Sequence, residues 1–556
     1  MILNSVKNNA TKISILLLVL FGINFLVSFL VFRIDLTKNK RYTLAEASKE
    51  TVKSTEQPVF IDVLLAGNLP SEFKRLQDET RQLLEEFETV NNKIRVNFID
   101  PLDNDNPKQQ NIRSLQELGL TPVSVTVEEG NSMSREVVFP WALVNMGEKT
   151  VKVSLLQNEL GANSEQRVNN SVQQLEYAFA DAFKQLTITD KKKIAILKGN
   201  GEMPDKYLVD FLITLKNYYQ LGEFHMDSLQ DNPSKVLENL NRFDAAIIAK
   251  PTERFSEDEK YILDQYIVNG GKTLWMVDEV VADLDSLQNE TFSSYAYPMD
   301  LNLDDLFFRY GVRIKKSLVQ DLISTPVTVT DSNGEIPINW LYSPMVKTTD
   351  NHPINKGVNV VKLEFANVID TLPNEINKTI LLQSSPQSKE VGIPRAYSLD
   401  EFDTQQDINS FTDGSKPLGV LLEGTFTSAF KNRVKPFSLS NAKDDATKEN
   451  KMIVIADGDI VNYNYVNKKP LINGVDKWTK QIYGNKDFLV NSVNYLLDED
   501  GLINIRSKEI ALSFLNKEKV YKQKTKWQLI NIGVPIVLIV LFGVLYSYFK
   551  KKKYTV

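Results

Sequence analysis

The sequence predicts an α/β protein in which two α/β domains are held between two terminal membrane helices. Three features carry that expectation. Residues 13–32 (ISILLLVLFGINFLVSFLVF) and 529–549 (LINIGVPIVLIVLFGVLYSYF) are runs of 20 and 21 residues without a charge. Between them, short apolar runs alternate with stretches of helical periodicity, the pattern of strands joined by crossover helices. Residues 243–278 hold every signal of a β-α-β unit within one stretch.

That stretch reads FDAAIIAKPTERFSEDEKYILDQYIVNGGKTLWMVD. Residues 245–249 are too few for a helix and suit a strand buried on both faces. Ser256 is an N-cap, and Glu259 completes a capping box. Tyr261, Ile262, Gln265, Tyr266 and Val268 follow at helical spacing. Asn269-Gly270-Gly271 stops the helix, because glycine enters the left-handed region without a Cβ penalty. Residues 273–277 form the second strand, closed by Asp278. A right-handed crossover joins the two strands, so this domain holds a parallel sheet.

At about 1.5 Å rise per residue, each terminal run spans roughly 30 Å, the thickness of a hydrocarbon core. Residues 1–12 form a short tail before the first span. No small-x-small cleavage site follows that span, so it is expected to remain as a signal anchor. Residues 527–549 form the second span and 550–556 a basic tail. Two crossings put both termini on one side. Lysine and arginine flank both ends of both runs, so the charge count does not choose the side. The short N-terminal tail and the tetralysine at 550–553 favour cytoplasmic termini at the inner membrane, with the large loop in the periplasm. Asn24 and Ser28 share a face of the first span, and Gly543 and Ser547 give the second a small-x-x-x-small pattern. These are contacts for a membrane partner, or mild polarity that lipid tolerates. Gly533 and Pro535 mark a kink point in the second span.

Residues 33–58 read as a polar juxtamembrane connector. Residues 59–160 carry strands at 59–65 and 93–99, a helix at 71–90 capped by Ser71, and a short helix ending near Leu118-Gly119. A hairpin at 122–128 and 135–139 follows. The order β-α-β-α-β-β is thioredoxin-like. Where a redox version needs Cys-x-x-Cys, this chain reads Asn68-Leu69-Pro70-Ser71, so the domain is expected to be a scaffold. Residues 161–189 hold a connecting helix, 164–186, with Ser164 as its N-cap. Its narrow stripe of Val168, Val172, Leu175, Phe179, Phe183 and Leu186 packs on a domain or joins a coiled coil.

Residues 190–502 form the larger, doubly wound domain. It opens with a strand at 193–197, a turn, and a helix after Pro204 carrying Leu208, Phe211, Leu212 and Leu215. The β-α-β unit comes next. An insertion at about 281–410 then holds a helix at 301–310 and strands at 318–321 and 379–383. Strands at 418–423 and 452–456 and a helix at 487–497 close the domain. Residues 503–526 read as a partly helical stalk.

Composition excludes several classes of function. Sixty-five Lys and Arg stand against 71 Asp and Glu, a net charge of -6, which argues against a general nucleic-acid binder. The absence of cysteine removes disulfides, thiolate nucleophiles and zinc-thiolate sites. The two histidines, His225 and His352, are too few for a His-rich metal centre. No G-x-S-x-G elbow and no G-x-x-x-x-G-K-[ST] loop occurs. No catalytic residue, cofactor or metal is therefore expected. The turn Gly199, Asn200, Gly201, Glu202 ends the first strand of the large domain, where open α/β sheets bind ligands. It is a tight turn needing positive φ, or a small-ligand or glycan contact through Asn200 and Glu202. Asp278-Glu279 and Asp457-Gly458-Asp459 end strands at the same edge. Such carboxylates can hold Mg²⁺ or Ca²⁺, but Asp-Gly is also good turn chemistry, and the turn is the expectation here. His352 lies in an Asn-His-Pro turn and reads as a capping residue.

Eight segments in order resemble the GldG family of gliding-motility proteins, auxiliary subunits of ABC transporters. They are RYTLAEASKE (41–50), LPSEFKRL (69–76), FIDP (98–101), SVQQLEYAFADAFKQLT (171–187), GNGE (199–202), NGGKTLWMVD (269–278), HPI (352–354) and GNKDFLVNSVNYLL (484–497). The resemblance covers nearly the whole chain, both terminal runs included. It implies a tethered periplasmic protein in contact with membrane lipid and an ABC permease subunit and, through the permease, with a cytoplasmic ATPase subunit. It leaves room for a dimer within the complex. It also implies a large domain resembling class I glutamine amidotransferases, a domain shared with an intraflagellar transport protein. Relatives often read TGHGE where this chain has Lys198 and Asn200, so no chemistry carries over to that turn. The expectation is a non-enzymatic accessory subunit, a scaffold or binding module. The alternative is a tethered receptor for a glycan or peptide.

Overall fold

Two main sheets organise the chain, and a set of small sheets fills the insertion. A computed structural model describes residues 18–22 and 43–554, apart from 104–107, 130–131, 228, 332–333, 349–351, 400–407, 463–464, 467–468 and 509–516. Residues 18–22 are helical and exposed. The remainder of the first expected span, with Asn24 and Ser28, lies outside the described residues.

The first sheet comes from residues 59–154. Helix α1 (Glu46–Lys53) precedes it. Then follow β1 (Val59–Val63), α2 (Ser71–Val90), β2 (Ile94–Phe98), α3 (Lys108–Glu117), β3 (Val123–Glu129), β4 (Ser132–Val138), β5 (Trp141–Met146) and β6 (Lys149–Ser154). The sheet order is β2-β1-β5-β6, with β1 and β2 parallel and the other pairs antiparallel. The expected closing hairpin, β3-β4, is instead a two-stranded sheet of its own, and β5-β6 completes the main one. Both hairpins alternate in the same way, so periodicity alone does not choose between them. Burial does: Val59, Ile61 and Val63 are fully buried, and Ile61 and Val63 meet Val144 and Ala142, also fully buried, across the β1–β5 pairing. Helix α2 begins at Ser71, but Pro70 holds the cap position and no side chain caps it. The Ser71 hydroxyl turns to Glu72 Oε2 at 3.0 Å.

Helix α4 (Ser164–Thr187) is capped by Asn163 rather than Ser164, through a capping box with Gln166. All six residues of its expected stripe are buried. Phe179 and Phe183 meet the Phe87 ring edge-on at 6.4 and 5.7 Å, so the helix packs on α2. Another part of α4 ties the ends of this body together. The buried Glu176 carboxylate accepts from Ala45 N (2.5 Å), Ser48 Oγ (2.9 Å) and Lys508 Nζ (2.7 Å). Lys508 Nζ also donates to Thr43 O at 2.6 Å.

The second sheet contains β7 (Lys193–Lys198), β8 (Gln220–His225), β9 (Ala245–Ala249), β10 (Lys272–Met276), β11 (Asn377–Gln383), β12 (Pro417–Gly424) and β13 (Asn450–Ile455). Their order is β11-β12-β13-β10-β9-β7-β8. The five strands from β13 to β8 are parallel; β12 runs against β13, and β11 against β12. The 377–383 strand is therefore part of the main sheet, not of the insertion. Its partner comes 40 positions later, a pairing that local sequence does not encode.

Alternate residues of each strand feed two cores. Leu197, Ile248 and Trp275 pack with α7 (Glu257–Val268) on one face. Ile196, Ile247 and Leu274 pack on the other with α5 (Val209–Lys216) and α9 (Asn485–Leu497). Strand β8 and helix α6 (Pro233–Leu240) have no counterpart in the sequence reading. The β-α-β unit stands as expected: β9 is buried at every residue, and Ser256 and Glu259 form the capping box of α7. In the insertion, Trp340, Tyr342, Phe365 and Tyr397 form a separate aromatic core beside the sheet.

One buried carboxylate joins α7 to distant loops. Asp264 accepts from Tyr310 Oη (2.7 Å), Ser428 Oγ (2.6 Å), Ala429 N (2.7 Å) and Gln265 Nε2 (3.1 Å). Tyr310 ends α8 (Asp304–Tyr310).

Residues 509–556 form a separate unit. Its helix α10 (Lys517–Tyr554) runs unbroken through Pro535. Among the described residues, one helix is long and apolar enough to cross a membrane: 520–552, with mean hydropathy 2.5 and none of its most apolar window buried.

Asp264→Ala leaves Tyr310 Oη, Ser428 Oγ and Ala429 N without this acceptor, while Gln265 Nε2 keeps Lys443 O. It should destabilise the purified chain by about 3 kcal/mol in urea titration. Arg254→Ala, which removes an exposed ion pair with Asp300, should cost less than about 1 kcal/mol.

Candidate functional site

In an open parallel sheet, side chains for binding gather at the carboxyl ends of the strands, above all where the strand order reverses. Here that reversal lies between β7 and β9. The turn of Gly199, Asn200, Gly201 and Glu202 sits at this point, but it closes the crevice. Gly199 and Gly201 have φ of +124° and +69°, the left-handed side that the turn demands. Asn200 O accepts from Thr252 N (3.0 Å) and Glu253 N (2.9 Å), clamping the turn onto the loop after β9. A Cβ on Gly201 would lie 2.2 Å from Thr252 Oγ1. Glu202 Oε2 accepts from Asn200 N (2.8 Å), and Asn200 Nδ2 donates to Glu259 Oε2 (3.3 Å). Both side chains are buried, and burial raises the Glu202 carboxyl above its usual range. The four residues come together as a folded plug. Asn200 Oδ1 and Glu202 Oε1 stay buried without a hydrogen bond among the described residues.

A charged pocket opens at the ends of β9, β10 and β13, centred on Lys250. This lysine adopts φ +48°, a left-handed conformation rare for a side-chain-bearing residue. Its Nζ lies 2.6 Å from Asp459 Oδ2 and 3.7 Å from Asp278 Oδ2. Asp278 Oδ1 accepts from Gly458 N (2.7 Å). Asp457 accepts from Glu364 N and Asp459 N, each at 2.7 Å. Lys362 Nζ lies 3.0 Å from Asp476 Oδ2 and 3.8 Å from Glu364. Asp476 Oδ1 accepts from Trp478 N, Thr479 N and Thr479 Oγ1, which shapes the loop carrying the half-exposed Trp478. The pocket between these groups holds about 140 Å³.

Electrostatics inside this cluster follow from burial and alternation of sign. Burial pushes the Asp278 carboxyl up to about 6, with Lys250 opposing. Burial and the neighbouring Asp278 and Asp459 hold Asp457 well above the usual range. For Lys250, burial works against the charge, but Asp459 and Asp278 more than restore it, so its pKa rises. Gly458 is required by this packing: a Cβ there would stand 2.5 Å from Lys250 Cγ and 2.9 Å from Asp278 Oδ2.

The carboxylates expected to end these strands thus serve as acceptors for backbone amides and as counter-ions to a lysine. Among the described residues no group of three or more His, Asp or Glu is arranged to hold a metal ion. His352 accepts from Ile354 N through Nδ1 (3.3 Å), consistent with a turn role. Burial and Lys451 lower its pKa to about 4, so the ring is neutral near pH 7. Gly543 and Ser547 lie four apart on α10, both exposed. Lys250 itself was not singled out by sequence reasoning. The available signal was a charged residue directly after a fully apolar strand and directly before a proline, a position normally extended.

Residues 191–492 match a family model described as "ABC-type uncharacterized transport system". Residues 38–145 match a domain family of unknown function, DUF7088. An uncharacterized protein of Borreliella burgdorferi is 20% identical over 568 residues, covering 98% of this chain and 99% of that one. Among solved structures, the mmIFT52 N-terminal domain aligns at 13% identity and a TM-score of 0.30, over 55% of this chain and 99% of that one. A cytoplasmic protein from Salmonella typhimurium aligns at 11% identity and 0.26, over 55% and 98%. A ThuA-like protein from Parabacteroides merdae aligns at 9% identity and 0.26, over 59% and 94%. At these scores none of the three assigns the fold, and nothing here supports the expected likeness to glutamine amidotransferases.

Glu279 gives the site a pH signature. It is 1% exposed, its Oε2 has no hydrogen bond among the described residues, and burial with Asp304 pushes its pKa up to about 8 although Lys316 Nζ lies 3.8 Å away. The folded chain therefore keeps a proton that the unfolded chain releases near pH 4.3, so stability falls as pH rises between those values. Glu279→Gln should match the native chain at about pH 4 and exceed it increasingly up to about pH 8, measured by thermal unfolding across pH. Gly458→Ala should cost about 1–3 kcal/mol and displace Lys250.

Proposed function

We propose a function that starts from family membership: the chain belongs to the ABC-type uncharacterized transport system family, whose model covers residues 191–492. It is an accessory subunit of an ABC transporter, associated with the membrane through the exposed apolar helix at 520–552. Its large domain is a scaffold rather than an enzyme. It lies in the periplasm and engages the permease directly and the cytoplasmic ATPase through it. By the resemblance noted above, the process served is gliding motility.

The observation that carries this reading is the exposed α10. An apolar helix with no residue of its central window buried finds its partners in lipid or in other membrane helices. Gly543 and Ser547, on one face, offer close approach to a permease helix. The scaffold reading also agrees with the two candidate ligand features at the sheet edge. The 199–202 turn is closed, and the Lys250 pocket is smaller than the roughly 300–1,000 Å³ of small-molecule sites. The alternative, a tethered receptor for a glycan or peptide, draws on Trp478, 40% exposed beside the pocket's charged groups.

Affinity purification of the tagged full chain in mild detergent should recover a permease and an ATPase subunit. Replacing residues 517–554 by an unrelated membrane helix should abolish that recovery while the domain stays folded. Recovery of the full chain free of membranes and partners would reject the proposal. Because the chain has no cysteine, Val434→Cys at a 95% exposed position tests the side. An impermeant maleimide should label it in intact spheroplasts.

A further inference from the structure

A further cavity lies away from the sheet edge, where α1 and α4 meet the large domain. It holds about 430 Å³, within the range of small-molecule sites, and sites of that kind favour domain junctions. A second cavity of about 280 Å³ adjoins it, and the two share Tyr177, Asp181, Tyr218 and Asn494.

Three features define what the larger cavity accepts. Its lining is acidic, with six carboxylates facing two lysines, and both lysines are already paired. Lys192 Nζ lies 2.6 Å from Glu499, and Lys184 Nζ lies 3.4 Å from Asp500. Next, Asp181 is enclosed by protein yet keeps surface toward the cavity. Its Oδ2 accepts from Tyr218 Oη (2.7 Å) and Gln185 Nε2 (2.9 Å), while its Oδ1 has no hydrogen bond among the described residues. No lysine or arginine among them comes within ion-pair distance of it; burial raises its pKa, with Arg506 and Lys184 opposing from farther away. Finally, Tyr177, Tyr218 and Tyr219 wall the space, the last two with ring centroids 6.0 Å apart. In the adjoining cavity, Gln174 is 7% exposed and its buried Oε1 has no partner among the described residues.

We infer that this cavity binds an organic ammonium cation, with Asp181 as its counter-ion and the tyrosines as its walls. An ammonium supplies a direct ionic partner for a desolvated carboxylate and N–H donors for its free oxygen. Aromatic faces attract cations through the ring quadrupole. An anion would meet the surplus of carboxylates, and a neutral sugar would leave Asp181 uncompensated. Mg²⁺ asks for an octahedron of oxygens, which tyrosine faces do not provide. Arg506 is no substitute. It lines the smaller cavity, stacks on Tyr177 with its centre 4.6 Å from the ring, and is held by Asn491 Oδ1 (2.8 Å) and Lys356 O.

The test is calorimetric titration of the full chain in detergent with putrescine, spermidine and choline, with K⁺ and Mg²⁺ at matched ionic strength as controls. At least one amine should bind saturably, and the inorganic ions should not. Asp181→Asn should weaken amine binding by about tenfold or more, the factor that 1.4 kcal/mol sets. Tyr218→Phe, which keeps ring and carboxylate, should change it far less. If Asp181→Asn fails to fold, Glu50→Gln at the exposed lining decides, with a measurable loss of affinity expected. Absence of saturable binding by every amine, undiminished affinity in the decisive acidic variant, or equal binding of K⁺ or Mg²⁺ would overturn the inference.

Discussion

The carboxylate of Glu176 is the contact on which the folded body between residues 43 and 508 depends. It receives a backbone amide and a hydroxyl from the entering chain and an ammonium from the leaving one. Closing so long a loop is less costly than its length suggests, since each doubling adds only about 0.6 kcal/mol. Charge-assisted hydrogen bonds in a buried setting are strong enough to hold the closure. Glu176 also sits on α4, whose Phe179 and Phe183 pack on α2. One helix therefore fixes the first domain and gathers both ends of the chain.

The two polar regions of the body differ in how their charges are balanced. At the sheet edge, signs alternate: Lys250 stands between Asp278 and Asp459, and Lys362 between Glu364 and Asp476. The carboxylates of Asp278, Asp457 and Asp476 also accept backbone amides. A network satisfied in this way rigidifies the loops that carry it. The left-handed Lys250 is part of the same arrangement, since strain persists only where the surroundings over-determine it. At the α1–α4 junction the balance is absent. Negative groups outnumber positive ones, and the most enclosed of them, Asp181, has only neutral hydrogen-bond donors.

Local signals in the sequence were legible wherever several of them agreed. The unit from β9 to β10 combined an apolar run, a capping box and a glycine stop, and it stands as read. So does the stripe of α4, although its cap is Asn163 and not the adjacent Ser164, which is chemically as suitable. What failed was partner choice. The β3-β4 and β5-β6 hairpins carry the same alternation, yet only the second fits beside Val59, Ile61 and Val63. Strand β11 looked like part of an insertion because its neighbour β12 comes much later. The Lys250 pocket failed for the same reason: its groups range from residue 250 to 485 and meet only through strand order. Residues 199–202 were legible as a turn, but their inward closure depends on Thr252 and Glu253.

Thr43 and Lys508 share a hydrogen bond across 465 positions of sequence. Entrance and exit of the body therefore occupy one corner, as is common for domains that tolerate insertion. Such a body is a cassette: it can be set between two neighbouring helices of any host without prising them apart.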